Sequence, residues 1–468
     1  MRPRGRGQHG PARPGGNIRT PAPIRPFRPH REPGQALRPG IRRQAPACGL
    51  RALRFFRSPA LCHGGRGVID VIGLGLGHAP LDPASRELIR TADLVGGGRR
   101  QLDALGIEPH RRLTLTTVDA FTAALRDRAD RAVCVVADGD PLLFGIGATL
   151  LRFFDRRELR FHPHVSALQT AAARFGLPWQ DCAIISLHGR DNLAALFAAL
   201  THGPLVAVYT DAAHGPDTLA RAMLGRGMEG WRMHVAEALE TPEERLFSGA
   251  LEETGSRTWN PLNLVLLERI ADPPLSLTLG LREADLAHQQ ELITKQPARA
   301  LILSCLRLAP DAVFWDLGAG SGAISLEAAS LLRHGRITAV ERRPERLADI
   351  RDNIRRTGAW LVEPVGASIE DFLEDQSADA RAVRPTHVFL GGGVSARTLQ
   401  LCRDLLRPGG RLVVSAVLLS TLETTRHTLA DWPLTIHHLQ HSQSHPLGGD
   451  LRLVPSNPVF VVEARKPE

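Results

Sequence analysis

Residues 315–329 read WDLGAGSGAISLEAA, and the reading of the carboxy-terminal half turns on them. An apolar run, AVFWDLG (312–318), leads into Gly318-x-Gly320-x-Gly322, and a helix-forming stretch follows over 322–333. Strand, glycine-rich turn and helix in that order open an α/β unit. The helix amino terminus offers free N–H groups and a positive dipole end to an anionic group. Glycines let the backbone turn tightly and let a ligand approach with no Cβ in the way. The next strand, RITAVE (336–341), closes on Glu341, 25 residues after Asp316. An acid at that point can accept both hydroxyls of a ribose.

The spacing separates ligands. A dinucleotide site takes G-x-G-x-x-G, with room for a pyrophosphate; here the third glycine comes one residue early. No Gly-Lys-Ser/Thr follows, which excludes a P-loop. G-x-G-x-G followed by an acid is the spacing of an S-adenosylmethionine (SAM) site, with the methionine carboxylate at the helix end and Glu341 on the ribose. Working outward, a helix is expected over 297–308, another over 344–357 and a third over 395–406. Strands are expected at THVFLGG (386–392), RLVVSAV (411–417), LTIHHLQH (434–441) and PVFVVEA (458–464). Base-modifying methyltransferases often end the fourth strand in an Asp/Asn-Pro-Pro-aromatic cluster that grips a flipped base. This chain has Gly391-Gly392-Gly393 there, which either leaves space for something broad and flat or is an ordinary loop.

Upstream, ADPPLSLTLGLRE (271–283) breaks the pattern with two prolines and reads as a linker. Before it lies a second α/β series, which begins sharply at Val68 with VIDVIGLGLG (68–77). It continues through PASRELIRTADLV (83–95), RAVCVVADGDP (131–141) and GIGATLLRFF (145–154). AIISLHGR (183–190), PLVAVYTD (204–211) and LNLVLLE (262–268) complete it. Strands alternating with helices mean α/β architecture in both halves. The string Gly73-x-Gly75-x-Gly77 taken alone is as readily a plain turn. Asp138-Gly139-Asp140-Pro141, Ser166 at a helix start and SLHGR (186–190) are further strand-end loops, and together they suggest one crevice.

At 468 residues the chain is long enough for two or three domains. No run of 18 apolar residues exists, which excludes a membrane-spanning helix. The six cysteines (Cys48, Cys62, Cys134, Cys182, Cys305, Cys402) are scattered with no CxxC pair. That argues against a zinc ribbon or a disulfide scaffold and for a reduced, cytoplasmic setting. His437, His438, His441 and His445 fit no closed zinc pattern, so no metal is expected. The net charge of +9 is unevenly placed: residues 1–66 hold 15 Arg and the single acid Glu32, leaving −5 over residues 67–468. The first 66 residues are about a third Pro and Gly and are expected to be disordered. Lysine occurs only at Lys295 and Lys466.

The order GxGxG, DGDPLLFG, VSALQ, LPW and SLHGR resembles the tetrapyrrole (corrin/porphyrin) methylases. LVGGGRR (94–100) and PLNLVLLE (261–268) are similar to the branch acting late in corrin assembly. The second half has Thr294-Lys295 ahead of a helix, then DLGAGSG, AVERRPE and LLRPGGRLVV. It resembles the class I SAM methyltransferase and decarboxylase that partners that branch. Over residues 67–468 the chain is thus similar to the fused, decarboxylating C5,15-methyltransferases of cobalamin biosynthesis. The resemblance implies a tetrapyrrole-methylase-like, two-lobed α/β domain at 67–270. It implies a Rossmann-like class I methyltransferase domain at 284–468, a tetrapyrrole substrate of the precorrin-6B type and two SAM sites. In the first site Gly73, Gly75, Gly77, Asp140, Pro141, Ser166 and His188 match the cofactor loops. In the second, Thr294, Gly318, Ala319, Gly320, Ser321, Gly322 and Glu341 match, with Ala367 and Ser368 near the adenine. Three positions depart from the family: Asp138 replaces a common Ser, His164 a usual Gly, and Gly366-Ala367-Ser368 a Gly-Asp-Ala type of sequence.

A polyanionic macrocycle on an acidic body needs local cations. Arg99, Arg100 and Arg190 beside the first site, and Lys295 and Arg299 beside the second, are the expected ones, arginine because its fork binds two carboxylate oxygens at once. Lys295 is the candidate catalytic residue. Two rival readings stand beside this one. The basic tail would suit an RNA methyltransferase, but the acidic body and the single tyrosine, Tyr209, speak against nucleic acid. A non-catalytic SAM-binding protein would bind the cofactor and turn nothing over. Homo-oligomeric assembly and no membrane partner are expected.

Overall fold

The strands IDVIG (β1, Ile69–Gly73) and VCVVA (β4, Val133–Ala137) are buried at every residue. Such unbroken apolar runs belong in the middle of a parallel sheet covered on both faces. The computed structural model describes residues 67–77, 80–127, 131–187, 193–289 and 293–468. The expected tail of residues 1–66, with Cys48 and Cys62, lies outside them, as do the site candidates His188 and Arg190. The fold is α/β throughout.

The first sheet adds β2 (Leu94–Gly97), β3 (Arg112–Thr114) and β5 (Leu159–His162) to those two strands, in the order β3-β2-β4-β1-β5, all parallel. β1 and β4 are neighbours reached by crossovers, so their carboxyl ends open a crevice between them. The helix Pro83–Thr91 starts where Asp82 accepts from the Ala84 and Ser85 N–H groups at 2.9 and 3.0 Å, with Pro83 in its first turn.

The second sheet contains β6 (Ala183–Ser186), β7 (Leu205–Tyr209), β8 (Trp231–Glu237), β9 (Arg245–Ala250) and β10 (Asn263–Arg269), ordered β6-β7-β10-β8-β9. Only β6 and β7 run parallel; the other pairings are antiparallel.

The third sheet orders its seven strands β13-β12-β11-β14-β15-β19-β16. They are β11 (Val313–Leu317), β12 (Arg336–Val340), β13 (Val362–Val365), β14 (His387–Leu390), β15 (Arg411–Ala416), β16 (Leu434–Leu439) and β19 (Val459–Arg465). The first five are parallel and β19 runs antiparallel to both its neighbours. The chain winds outward from β11 through β12 to β13, then returns to β14, so the switch point lies between β11 and β14. The helix expected over 344–357 is Pro344–Thr357, closed by Gly358 in the left-handed conformation. A hairpin not foreseen from the sequence, β17 (Ser442–Leu447) and β18 (Asp450–Pro455), stands out beyond β16. Its turn is Gly448-Gly449, both at positive φ, the dipeptide that a two-residue hairpin turn demands. Nearly every residue of its strands is exposed, the alternating Leu451 and Leu453 of β18 included, so the pattern marks no buried face.

The segment read as a linker packs instead. Leu281 is buried, and Leu275 N–H donates to Arg356 O at 2.8 Å. One apolar cluster runs from Leu196 and Met223 through Leu281 and Ile302 to Ile350 and Val461, so the two halves share a continuous core. Leu361 N–H donates to Thr201 Oγ1 at 2.9 Å, and Arg226 donates to Trp360 O at 2.7 Å while stacked 3.7 Å from the Phe197 ring centroid.

Candidate functional sites

The first crevice is a cavity of about 430 Å³ at the carboxyl ends of β1 and β4. Leu74 N–H donates to Ala137 O and Gly139 N–H to Gly75 O, at 2.8 and 2.7 Å, which zips the two strand-end loops together. Gly77 has φ +53°, and a Cβ there would sit 2.0 Å from Glu240 O. No other residue fits that crossing. Gly75, Gly77, Asp140 and Ser166 line the cavity, alongside Leu74, Leu143, Tyr209 and Leu264. A mostly apolar wall with a few placed polar groups is what a small-molecule site needs. Asp140 Oδ1 accepts from Leu142 N–H at 2.8 Å, so this carboxylate shapes its own loop. Ser166 caps the helix Ala167–Phe175 and exchanges hydrogen bonds with Gln169.

Two of the matched residues lie behind the lining. Gly73 is the point of closest approach to Gly139, with Gly139 O only 2.5 Å from where its Cβ would be. Pro141 O accepts from Gly147 N–H at 2.9 Å. Arg100 reaches the cavity wall and donates to the Asp138 carboxylate, whereas Arg99 is exposed and outside the lining. Asp138, one of the three departures, therefore has a partner that a serine could not hold as an ion pair.

The second crevice, about 320 Å³, opens at the switch point between β11 and β14. Gly318 and Ala319 N–H groups both donate to Val340 O, at 2.9 and 3.0 Å. Glu341, 5% exposed, closes the loop from the other side. Its Oε2 accepts from Gly320 N–H and its Oε1 from Arg343 N–H, each at 3.0 Å. Register carries Gly318 past Leu317, opposite Leu390, so a Cβ on Gly318 would meet Gly392 N at 3.2 Å. Gly391 serves close backbone approach, since a Cβ on it would meet Gly318 O at 3.2 Å. Gly392 itself faces open space, with nothing within 4 Å of a Cβ placed on it. Ala367 and Ser368 line the far wall, Ser368 capping the helix Ile369–Ala378.

Ser321 and Gly322 sit beneath the loop: Ser321 O accepts from Asn353 Nδ2 at 3.0 Å, and Gly322 backs onto Ile350. Thr294 and Lys295 lie at the start of the helix Gln296–Leu306, outside the cavity lining, and Lys295 is exposed. Arg299 corrects the sequence reading. It is 0% exposed, with Nε 2.7 Å from Glu327 Oε1 and Nη1 3.2 Å from Glu283 Oε1, and it donates to Thr294 O and Leu281 O. The fully paired guanidinium is a brace, sealed from any substrate. The cations at the rim are instead Arg342, Arg343 and Arg346, directly after Glu341. AVERRPE contains Arg342 and Arg343, and Arg346 follows it, but the direction of these side chains is not legible in the string.

Asp316 lies under the second loop with Oδ2 accepting from Ser325 Oγ at 2.6 Å and Oδ1 buried without a partner. Burial, with Glu341 adding to it, pushes its pKa up from 3.8 to about 6. The proton is therefore bound more tightly in the folded protein than in the unfolded chain. The stability this gives is full below pH 3.8 and is lost as the pH rises to about 6, up to roughly 3 kcal/mol at 1.36 kcal/mol per pKa unit. Asp316→Asn cannot ionise, so the wild type should lose stability relative to it between those pH values and run parallel above them. Urea midpoints across the range measure this, and curves parallel throughout would contradict it.

Residues 68–255 match the family of Tetrapyrrole (Corrin/Porphyrin) Methylases, and residues 285–466 match the Precorrin methyltransferase domain. A Precorrin-6Y C(5,15)-methyltransferase [decarboxylating] of Mycobacterium tuberculosis is 32% identical over 406 residues, covering 84% of this chain and 98% of the relative. The Cobalt-precorrin-7 C(5)-methyltransferase of Salmonella typhimurium is 34% identical over 181 residues, 38% of this chain and 89% of its own length. The Cobalt-precorrin-6B C(15)-methyltransferase (decarboxylating) of the same organism is 32% identical over 181 residues, 38% of this chain and 90% of its own length.

Proposed function

Because this chain belongs to the family of precorrin-6Y C(5,15)-methyltransferases (decarboxylating), and is with them a methyltransferase of cobalamin biosynthesis, we propose a division of labour between its two crevices. Each binds one SAM. The first crevice serves methylation at C5 of the tetrapyrrole. The second serves methylation at C15 and loss of CO2 from the C12 acetate. The substrate is precorrin-6B and the product precorrin-8. Support comes from two glycine-lined strand-end crevices on unlike sheets, one parallel and entered at β1/β4, one a seven-stranded sheet entered at β11/β14.

The residues present fit the cofactor. In the second crevice Gly320 and Gly392 face open space, with nothing within 4 Å of a Cβ placed on either, and the Glu341 carboxylate, already holding two loop N–H groups, stands where a ribose can bind. In the first, Gly75, Gly77, Asp140 and Ser166 frame the cavity. SAM supplies an electrophilic methyl group that leaves its sulfur as a ring carbon attacks, the C–S electron pair staying on sulfur. The chain's own part is then position and exclusion of water. The apolar wall of Leu74, Leu143 and Leu264 keeps the first crevice dry, and Arg100 offers a donor to a peripheral carboxylate. Arg342, Arg343 and Arg346 offer the same at the second. No side-chain nucleophile is needed. Loss of CO2 leaves an electron pair that the conjugated ring carries toward C15, so both second-crevice steps draw on one electron sink. Incubation of the protein with precorrin-6B and SAM, followed by mass measurement, tests the reading. Two methyl additions with one CO2 loss are expected; an unchanged mass overturns it.

A further inference from the structure

Away from both crevices, three metal-ligating side chains from distant parts of the chain converge between a helix and the third sheet. Cys305 comes from the last turn of the helix Gln296–Leu306, His437 from β16 and Glu463 from β19. One donor atom of each lies within 4.8 Å of the others. His437 Nε2 stands 3.9 Å from Glu463 Oε2, and it is buried with no hydrogen-bond partner. Cys305 is 4% exposed. We propose that Cys305, His437 and Glu463 form a binding site for a thiophilic divalent cation of the zinc class.

The donor set carries the argument. Sulfur, imidazole nitrogen and carboxylate oxygen are the three protein ligand types of zinc, with bonds of about 2.0–2.3 Å. The edges of such a tetrahedron are roughly 3.3–3.7 Å; the His437–Glu463 separation of 3.9 Å is close to that, and the distances to Cys305, within 4.8 Å, must shorten by at most about 1.5 Å. The orientation of the carboxylate is already fixed. Arg411 Nη1 donates to Glu463 Oε1 at 2.6 Å and Arg307 Nη2 lies 3.3 Å from that same oxygen, which leaves Oε2 turned toward the imidazole. Partners of this kind orient the ligands of metal sites. On binding, the thiol proton passes to solvent, and thiolate and carboxylate together balance the dication. The fourth position would take water. The cation would pin the end of the helix that begins at Lys295 to the antiparallel edge of the sheet, so its role is structural. The spacing of His437, His438, His441 and His445 could not announce it, because two of the three ligands lie 132 and 26 residues from His437.

The test uses the full chain stripped of metal and titrated with Co(II) alone. One equivalent should produce visible d–d bands and a near-ultraviolet thiolate-to-cobalt band, both displaced by Zn(II), and Zn(II) should raise the Tm. Cys305→Ser should abolish the near-ultraviolet band and weaken binding at least tenfold, while Cys402→Ser changes neither. His437→Asn, at a partly exposed strand position, should weaken binding similarly without disturbing the core, and so reports even where Cys305→Ser folds poorly. No bands in the wild type, or bands that survive both variants, would overturn the site.

Discussion

Glu327→Gln is expected to lower the stability of this protein by about 3–5 kcal/mol, the cost of breaking a buried ion pair from one side. Arg299 and Glu327 are both essentially sealed, at 0% and 1% exposure. Glu327 Oε1 accepts from Arg299 Nε at 2.7 Å and from Leu281 N–H at 3.1 Å. Removing its charge leaves a guanidinium in the shared core with only the partly exposed Glu283 to answer it. The helix Gln296–Leu306 and the 281–283 segment both hang on that guanidinium, so the loss should spread to the second crevice. Arg299→Leu combined with Glu327→Leu should recover part of the stability, since apolar residues of similar volume often replace a buried pair at little cost. Urea unfolding followed by circular dichroism measures both. A Glu327→Gln effect below about 1 kcal/mol would contradict the role of a brace.

Glu341→Ala is expected to weaken SAM at the second crevice by roughly 10–100-fold and to leave the first untouched. Hydrogen bonds to a charged group are worth about 1.5–3 kcal/mol each, and 1.4 kcal/mol is tenfold in affinity. This carboxylate holds Gly320 and Arg343 N–H groups and faces the cavity, so its removal both loosens the loop and deletes the proposed ribose acceptor. C15 methylation and CO2 release should fall together, with C5 methylation retained on a substrate already methylated at C15. Equal loss at both carbons would mean that the two crevices are not separate sites.

The fold was largely legible because it is written in unbroken apolar runs. VFWDL, VCVVA and LVAVY are too short to be buried helices, and glycine or aspartate follows each within two residues. Glu341 was legible for the same reason: it ends a strand at a fixed distance from a glycine turn. What the string hid was direction. Arg299 and Arg342 are equally charged letters near the same motif, yet the helix face that carries Arg299 points at the Glu327 carboxylate, while Arg342 lies on the cavity rim. The two prolines of 271–283 read as a linker because they break secondary structure, but burial there is decided by Leu277 and Leu281, which pack into the core the two halves share. Spacing also hid the Cys305–His437–Glu463 convergence, a product of the β16/β19 register and helix packing.

One chain is expected to hold two independent SAM sites. Equilibrium dialysis of the purified full chain against labelled SAM tests it most directly. Two equivalents should bind per chain, falling to one in Glu341→Ala at a concentration that fills only the unaltered site. A single equivalent in the wild type, abolished by Glu341→Ala, would contradict it.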